Sequence, residues 1–357
     1  MEDAMTDRLE RNRALHRALF VGQPGTRHAF VTQAPSPPIW EVGDFTTSDR
    51  PISEFVPWVV EHYRRWLALS GAVQDDAVPF ARPGTGTHIY AVCFGAKPHL
   101  YPDSNPYAEA CVANAAEADR LPEPRIEDCR PLMRIMELAA AVRRELGPEV
   151  TLGPPDMQTG FDTACIVWDK TDLLCSLVGN PDAVKRLAGK CARLLRGFIA
   201  AYRREFPNST FGHCPSTWTP PDAGPWVSND ECGAMSAAMF REFCLPELVE
   251  LSTTFGGLGM HCCAHAQHQF AGFRRIPGFY AFNRVATSVG WERDNALEEL
   301  GGPGGPVMVP GWVSPECVRT LLRKAPAGTR FIFNSAAFDR ADDAARWLAA
   351  VRQAADL

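Results

Sequence analysis

Three of the nine histidines and two of the twelve cysteines of this chain fall within eight positions, in Gly259-Met260-His261-Cys262-Cys263-Ala264-His265-Ala266-Gln267-His268. Imidazole nitrogen and thiolate sulfur are donors that Zn²⁺ takes together. The apolar run Gly257 to Cys263 reads as a strand, and alternation along it puts His261 and Cys263 on one face with Cys262 opposite. His265 and His268, three apart, would share a face of the next helix's first turn, and His261, His265 or His268 could act as a general acid if no metal is bound. Cysteine doublets also fill cores, and H-x-C is a weaker metal signal than paired C-x-x-C. The density of donors is what singles the stretch out.

Two further regions place polar groups where a strand should end. The first is Phe211-Gly212-His213-Cys214-Pro215, followed by Ser228-Asn229-Asp230-Glu231-Cys232. Asp230 and Glu231 have no basic partner close in sequence, and a catalytic or substrate-binding role competes with capping of a helix that begins near Ser236. The second, Gly153-Pro154-Pro155-Asp156-Met157-Gln158-Thr159-Gly160, offers Asp156 and Gln158 to orient a substrate, against the plainer reading of a turn.

These groups need a scaffold, and the chain alternates helix and strand. Asn180 to Pro207 is the clearest helix, with Pro181 at its first position and Val184, Leu187, Cys191, Leu194, Leu195, Phe198 and Tyr202 on one stripe. Similar periodicity runs through 52–69, 126–146, 237–251, 315–324 and 340–353. Between them lie β-prone runs at 28–33, 88–94, 150–153, 210–213, 257–263, 279–285, 306–309 and 329–334. About eight alternations predict an α/β protein with a parallel sheet, closed as a (β/α)₈ TIM barrel over residues 81–357, with a helix and an irregular, proline-bearing segment over 1–80 wrapping one end of the same domain. The active face would be the carboxyl ends of the strands. No G-x-G-x-x-G or P-loop follows a strand, and Gly301 to Gly305 precedes one, as a tight turn.

Composition limits the function. Of 357 residues, 46% are hydrophobic and 22% charged, enough apolar material for a large core. Lys plus Arg is 36 against 42 Asp plus Glu, a net charge of −6 with no basic block, which disfavours nucleic acid as a partner. No apolar run approaches the roughly 20 residues that span a bilayer. The N-terminus carries Glu2, Asp3, Asp7 and Glu10 without the apolar core of a secretory signal, so a cytoplasmic home is expected, with most cysteines as free thiols in the core.

From about Asp75 to Trp347 the chain resembles the uroporphyrinogen decarboxylase superfamily. The resemblance rests on Gly86 to Gly95 with its Phe94-Gly95 ending, on Gly153-Pro154-Pro155-Asp156-Met157-Gln158, on Asn180-Pro181-Asp182, and on Ser236 to Pro246. Met260-His261-Cys262-Cys263 falls where the corrinoid-dependent methyltransferase branch has its H-x-C zinc pair. The true decarboxylase has an arginine-rich segment after its first strand, whereas Phe30 to Trp40 here contains no Arg or Lys. A polycarboxylate needs several cationic forks. The resemblance therefore implies a methyltransferase of a corrinoid-dependent methyl-transfer or demethylation system, with Zn²⁺ at the site and the corrinoid on a partner protein, since no D-x-H-x-x-G cobalamin motif is present. It also implies a third zinc ligand, a second thiolate, late in the chain. That place reads Phe333-Asn334-Ser335-Ala336-Ala337, with Ala336 for the cysteine, which leaves Cys214, His268 or Glu231 to complete the set. The other readings are a decarboxylase-like lyase acting on a smaller carboxylate, and a non-catalytic tetrapyrrole- or corrinoid-binding protein.

Overall fold

The computed structural model describes residues 2–284 and 295–355. Its strands are β1 (Ala29–Gln33), β2 (Lys97–His99), β3 (Tyr107–Glu109), β4 (Trp226–Ser228), β5 (Leu258–His261), β6 (Phe279–Asn283), β7 (Val307–Met308) and β8 (Ile332–Ala337). Strands β4, β5, β6 and β7 pair in that order, all parallel. A parallel bridge between Met308 and Phe331 leads on to β8, which pairs parallel with β1. Helices separate consecutive strands along the arc, the mixed α/β arrangement with a parallel sheet that the alternation predicted. Strands β2 and β3 form a separate antiparallel hairpin.

Beyond β1 the ladder thins. Its free edge is tied by two buried acids: Asp75 accepts from Thr32 N (2.7 Å) and Thr32 Oγ1 (2.6 Å), while Asp76 accepts from Phe30 N (2.9 Å) and takes a fork from Arg27. Ala81 then bridges Leu152 in parallel, and Gln158 bridges Ser228 of β4. The segment 1–80 thus supplies a sheet strand. Its helix, Glu2–Phe20, is pinned where Asn12 donates to the carbonyls of Asp75 and Ala77.

Helix Pro181–Glu205 buries the whole stripe read from the sequence, and its last turn carries Arg203 and Arg204, which suit the dipole there. It packs against the helix Gly160–Val167 so closely that a Cβ on Gly160 would stand 2.6 Å from Ala188 O and Ala192 N. The other periodic segments are also helical, with breaks: 52–69 divides into a 3₁₀ turn and Val56–Val73, and 237–251 into Ala237–Phe243 and Leu245–Phe255, where Pro246 opens the second helix.

Three expected strands differ. His88 to Phe94 holds the helix Ile89–Cys93, because its β-prone side chains are buried beside the helices Arg130–Leu146 and Gly160–Val167 instead of a sheet edge, and Gly95 (φ 97°) ends it. Val150 to Gly153 makes only the single bridge at Leu152. Thr210 to His213 makes one ladder bond, Thr210 N to Leu152 O (2.9 Å), after which Thr219 competes for its polar groups through Phe211 N to Thr219 Oγ1 (3.1 Å). Strand β4, three residues long, is absent from the β-prone runs but ends at Ser228, where the polar stretch 228–232 is expected to follow a strand. The last residue of the expected strand 279–285, Val285, lies outside the described residues.

Candidate metal centre

In the ladder, His261 at the end of β5 stands opposite Ser228 of β4 and Asn283 of β6. In-register neighbours on parallel strands share a face, so the three side chains form one row at the carboxyl ends of the strands. Asn283 Nδ2 donates to Val309 O (2.5 Å), which fixes the amide so that its Oδ1 faces His261 Nδ1, also at 2.5 Å. Nδ1 therefore carries the donated proton, and Nε2 is turned to the other side of the ring.

That side holds the remaining donors. Cys214 Sγ lies 3.8 Å from His261 Nε2, and Asp230 Oδ1 also lies 3.8 Å from it. Ligand atoms of Asp230, His261 and Cys263 all lie within 4.8 Å of one another. With Zn–N about 2.0 Å and Zn–S about 2.3 Å, neighbouring ligands of a tetrahedral zinc stand about 3.5 Å apart. The mutually close set, one imidazole, one thiol and one carboxylate from His261, Cys263 and Asp230, fits zinc in type, and Cys214, placed against His261 Nε2, adds a second thiol on that side.

The electrostatics agree. Burial alone would lower the His261 imidazole, but Cys214, Cys263 and Asp230 outweigh it and raise it well above its ordinary value. The His261 contact lowers the Cys263 thiol, yet burial and Asp230 prevail and raise it. Anionic groups here draw a positive charge, and Zn²⁺ supplies one while holding thiols as thiolates.

Each donor is positioned by its own element. The chain leaves β5 after His261, so Cys262 is fully buried with its Sγ 4.0 Å from Cys232 Sγ, and half-buried Cys263 faces the site, as alternation requires. Asp230 precedes the 3₁₀ turn Glu231–Ala234 without a side-chain capping bond; its Oδ1 accepts from Cys263 N (2.7 Å), which ties the β4 loop to the β5 loop. Its own backbone N donates to Asp162 (2.6 Å), an acid fully inside the protein on the helix Gly160–Val167, raised well above its usual range by burial and then by Asp230. Cys214 is held at φ 50°, a strained backbone for a non-glycine residue.

The wall beside the donors is polar. His213 Nε2 lies 3.3 Å from Ser228 Oγ and 3.9 Å from Asp156 Oδ1, and Gln158 Nε2 donates to the same Oδ1 (2.5 Å). Burial, then the charges of Arg82 and His261, push His213 well down, while burial raises Asp156.

The structure thus brings together His261, Cys263, Cys214 and Asp230, with His213, Asp156 and Gln158 beside them. Three sequence candidates stand apart. His265 is exposed, and His268 is turned to Met235 O (2.8 Å), because the expected helix is only a 3₁₀ turn, Gln267–Gln269, and the helix Phe270–Phe273. Glu231 is engaged by Lys170 at 2.7 Å. Ala336 lies within β8 and is exposed. Sequence reasoning missed Asn283 and Asp162. Asn283 ends an otherwise apolar run and Asp162 interrupts one, signals that an unpaired buried polar group would have supplied.

No family model matches this chain, and no curated protein matches it. Among solved structures it is similar to one titled "methyltransferase from Methanosarcina mazei", with a TM-score of 0.65 at 12% sequence identity, covering 97% of this chain and 98% of the other. At that identity the likeness is one of fold, over essentially the full length of both chains.

Proposed function

We propose that this protein is a zinc-dependent methyltransferase of a corrinoid-dependent methyl-transfer or demethylation system, built on a (β/α)₈ barrel. The observation that carries the reading is the convergence of His261, Cys263 and Asp230 at the carboxyl ends of parallel strands, with Cys214 Sγ 3.8 Å from His261 Nε2. Cys214 takes the place of the thiolate that Ala336 does not provide.

Bound there, Zn²⁺ would supply Lewis acidity toward the heteroatom that carries the methyl group, or toward a thiol acceptor. His261, Cys263 and Asp230 would hold it, with Cys214 as the further thiolate. Asn283 keeps His261 in the tautomer whose Nε2 is free to bind, and Asp162 fixes the backbone that presents Asp230. Asp156, raised by burial and steadied by Gln158, is placed to give a proton to a demethylated heteroatom, while His213 stays neutral. The acceptor or donor on the other side would be a corrinoid carried by a partner protein.

Three measurements test this. Elemental analysis should find stoichiometric zinc in the purified protein and little in His261→Ala. In the cobalt-substituted protein, Cys214→Ser should weaken the sulfur-to-metal charge-transfer band. Metal-free wild-type protein, or bands indifferent to Cys214, would refute the assignment, and demethylation of a substrate by added cob(I)alamin, followed by the corrinoid spectrum, would establish the reaction.

A further inference from the structure

The helix Gly160–Val167 carries Asp162, whose side-chain oxygens accept from the amides of Asp230 (2.6 Å) and Glu231 (3.3 Å) and so tie this helix to the loop that presents a metal donor. The start of the helix is itself tied. Thr159 N donates to Ser228 O (3.0 Å), and Thr159 Oγ1 accepts from Asp162 N (3.1 Å) as the cap. The amides of Gly160 and Phe161 are left over, because the first turn of a helix has no intrahelical acceptors for them. One side chain from another element takes both: Glu247, on the helix Leu245–Phe255, accepts from Gly160 N through Oε1 (2.5 Å) and from Phe161 N through Oε2 (3.3 Å).

Glu247 is committed to these amides and to nothing else. Three cations line the same surface cleft, of about 630 Å³, and each is paired elsewhere: Lys185 with Glu242 (2.6 Å), Arg193 with Glu123 (2.7 Å) and Arg196 with Glu250. Among the described residues no cation stands within ion-pair distance of Glu247. Burial raises its carboxyl, the two amides and the Arg196 charge oppose that, Glu250 adds to it, and the group is pushed up to about 7. The thiols that face it, Cys191 on the helix Pro181–Glu205 and Cys244 just before Leu245, are both raised well above their ordinary value by burial, so they stay protonated while Glu247 titrates. A carboxylate offers an acceptor at each oxygen. A protonated carboxyl or a primary amide puts a donor at one of the two places, where it faces an N–H and leaves that amide unpaired.

We propose that Glu247 is a positioning residue of the metal centre: its ionised carboxylate locks the start of the helix Gly160–Val167 and, through Asp162, the loop that presents Asp230, and its protonation releases that lock. This rests on the metal-centre reading for what Asp230 holds; the lock itself stands apart from it.

The test is Glu247→Gln, which keeps the shape and mimics the protonated acid. A carboxyl raised from 4.5 to about 7 detracts from stability once pH rises through that window, so the neutral variant should fold and melt close to the wild type. At pH 8 its zinc affinity, by competition against a chromophoric chelator, should be about tenfold weaker than that of the wild type, and the amides of 228–232 should exchange with deuterium faster. At pH 6 the two proteins should converge, since the wild type is then protonated too, while protonation of the histidine and thiol donors is common to both and cancels in the ratio. Equal affinity and equal exchange at pH 8, or a gap that is the same at both pH values, overturns the proposal. A wild type that binds no zinc yet shows the same Glu247- and pH-dependent exchange leaves the lock standing and refutes the metal-centre reading instead.

Discussion

Asn283→Ala removes the acceptor that holds His261 without touching any metal donor. Asn283 is fully buried, and its Oδ1 stands 2.5 Å from His261 Nδ1. In the variant, the Nδ1 proton faces a void, and leaving a buried donor unpaired costs about 1–3 kcal/mol. Loss of such a partner to a metal-bound histidine weakens metal binding by about 10- to 100-fold, which is about 1.4–2.7 kcal/mol. Both estimates describe the same bond and agree. The assay is a zinc competition against a chromophoric chelator, with a thermal melt to show that the variant folds. Asn283→Asp keeps the acceptor and loses only the donor to Val309 O, so its zinc affinity should lie nearer the wild type. An Asn283→Ala protein that melts cooperatively and holds zinc as tightly as the wild type would refute the assigned tautomer, and with it the argument that Nε2 faces the metal.

Two predictions concern the scaffold. Gly160→Ala forces a Cβ into the backbone of the helix Pro181–Glu205, and this overpacking should lower unfolding free energy by about 1–3 kcal/mol in a urea titration; an unchanged midpoint would show that the two helices do not meet as described. At Asp44, burial raises the carboxyl, but the hydrogen bond from His88 (3.0 Å) and those from Thr46 and Thr47 outweigh it and bring it from 3.8 down to about 2. A depressed carboxyl contributes stability that is fully present above 3.8 and lost as pH falls through about 2, roughly 2 kcal/mol here. The stability gap between wild type and Asp44→Asn should therefore close over that window, and a gap independent of pH would contradict it.

Much of the site was legible because its chemistry is local. His261 and Cys263 sit two apart on a strand, and period-two alternation alone puts them on one face. The long helix Pro181–Glu205 was readable for the same reason, since a 3.6 period needs no partner to be recognised. Local signals failed where burial, not backbone preference, selects the residues: Ile89, Tyr90 and Ala91 look like strand and are buried in a helix. His265 and His268 have the spacing of a shared helical face, but the chain does not form that helix.

The sequence by itself determined the α/β class, the helix faces and the pair of metal-type donors, all consequences of periodicity and side-chain chemistry over short spans. Only the tertiary structure decided which distant groups complete them. Cys214 is 47 positions from His261 and Asn283 is 22, and local sequence left Cys214 as one of several candidates without deciding among them. Strand register brings Asn283 to His261, and loop closure brings Cys214 to Nε2. Register and closure are properties of the whole sheet, set by packing between segments that no local pattern relates.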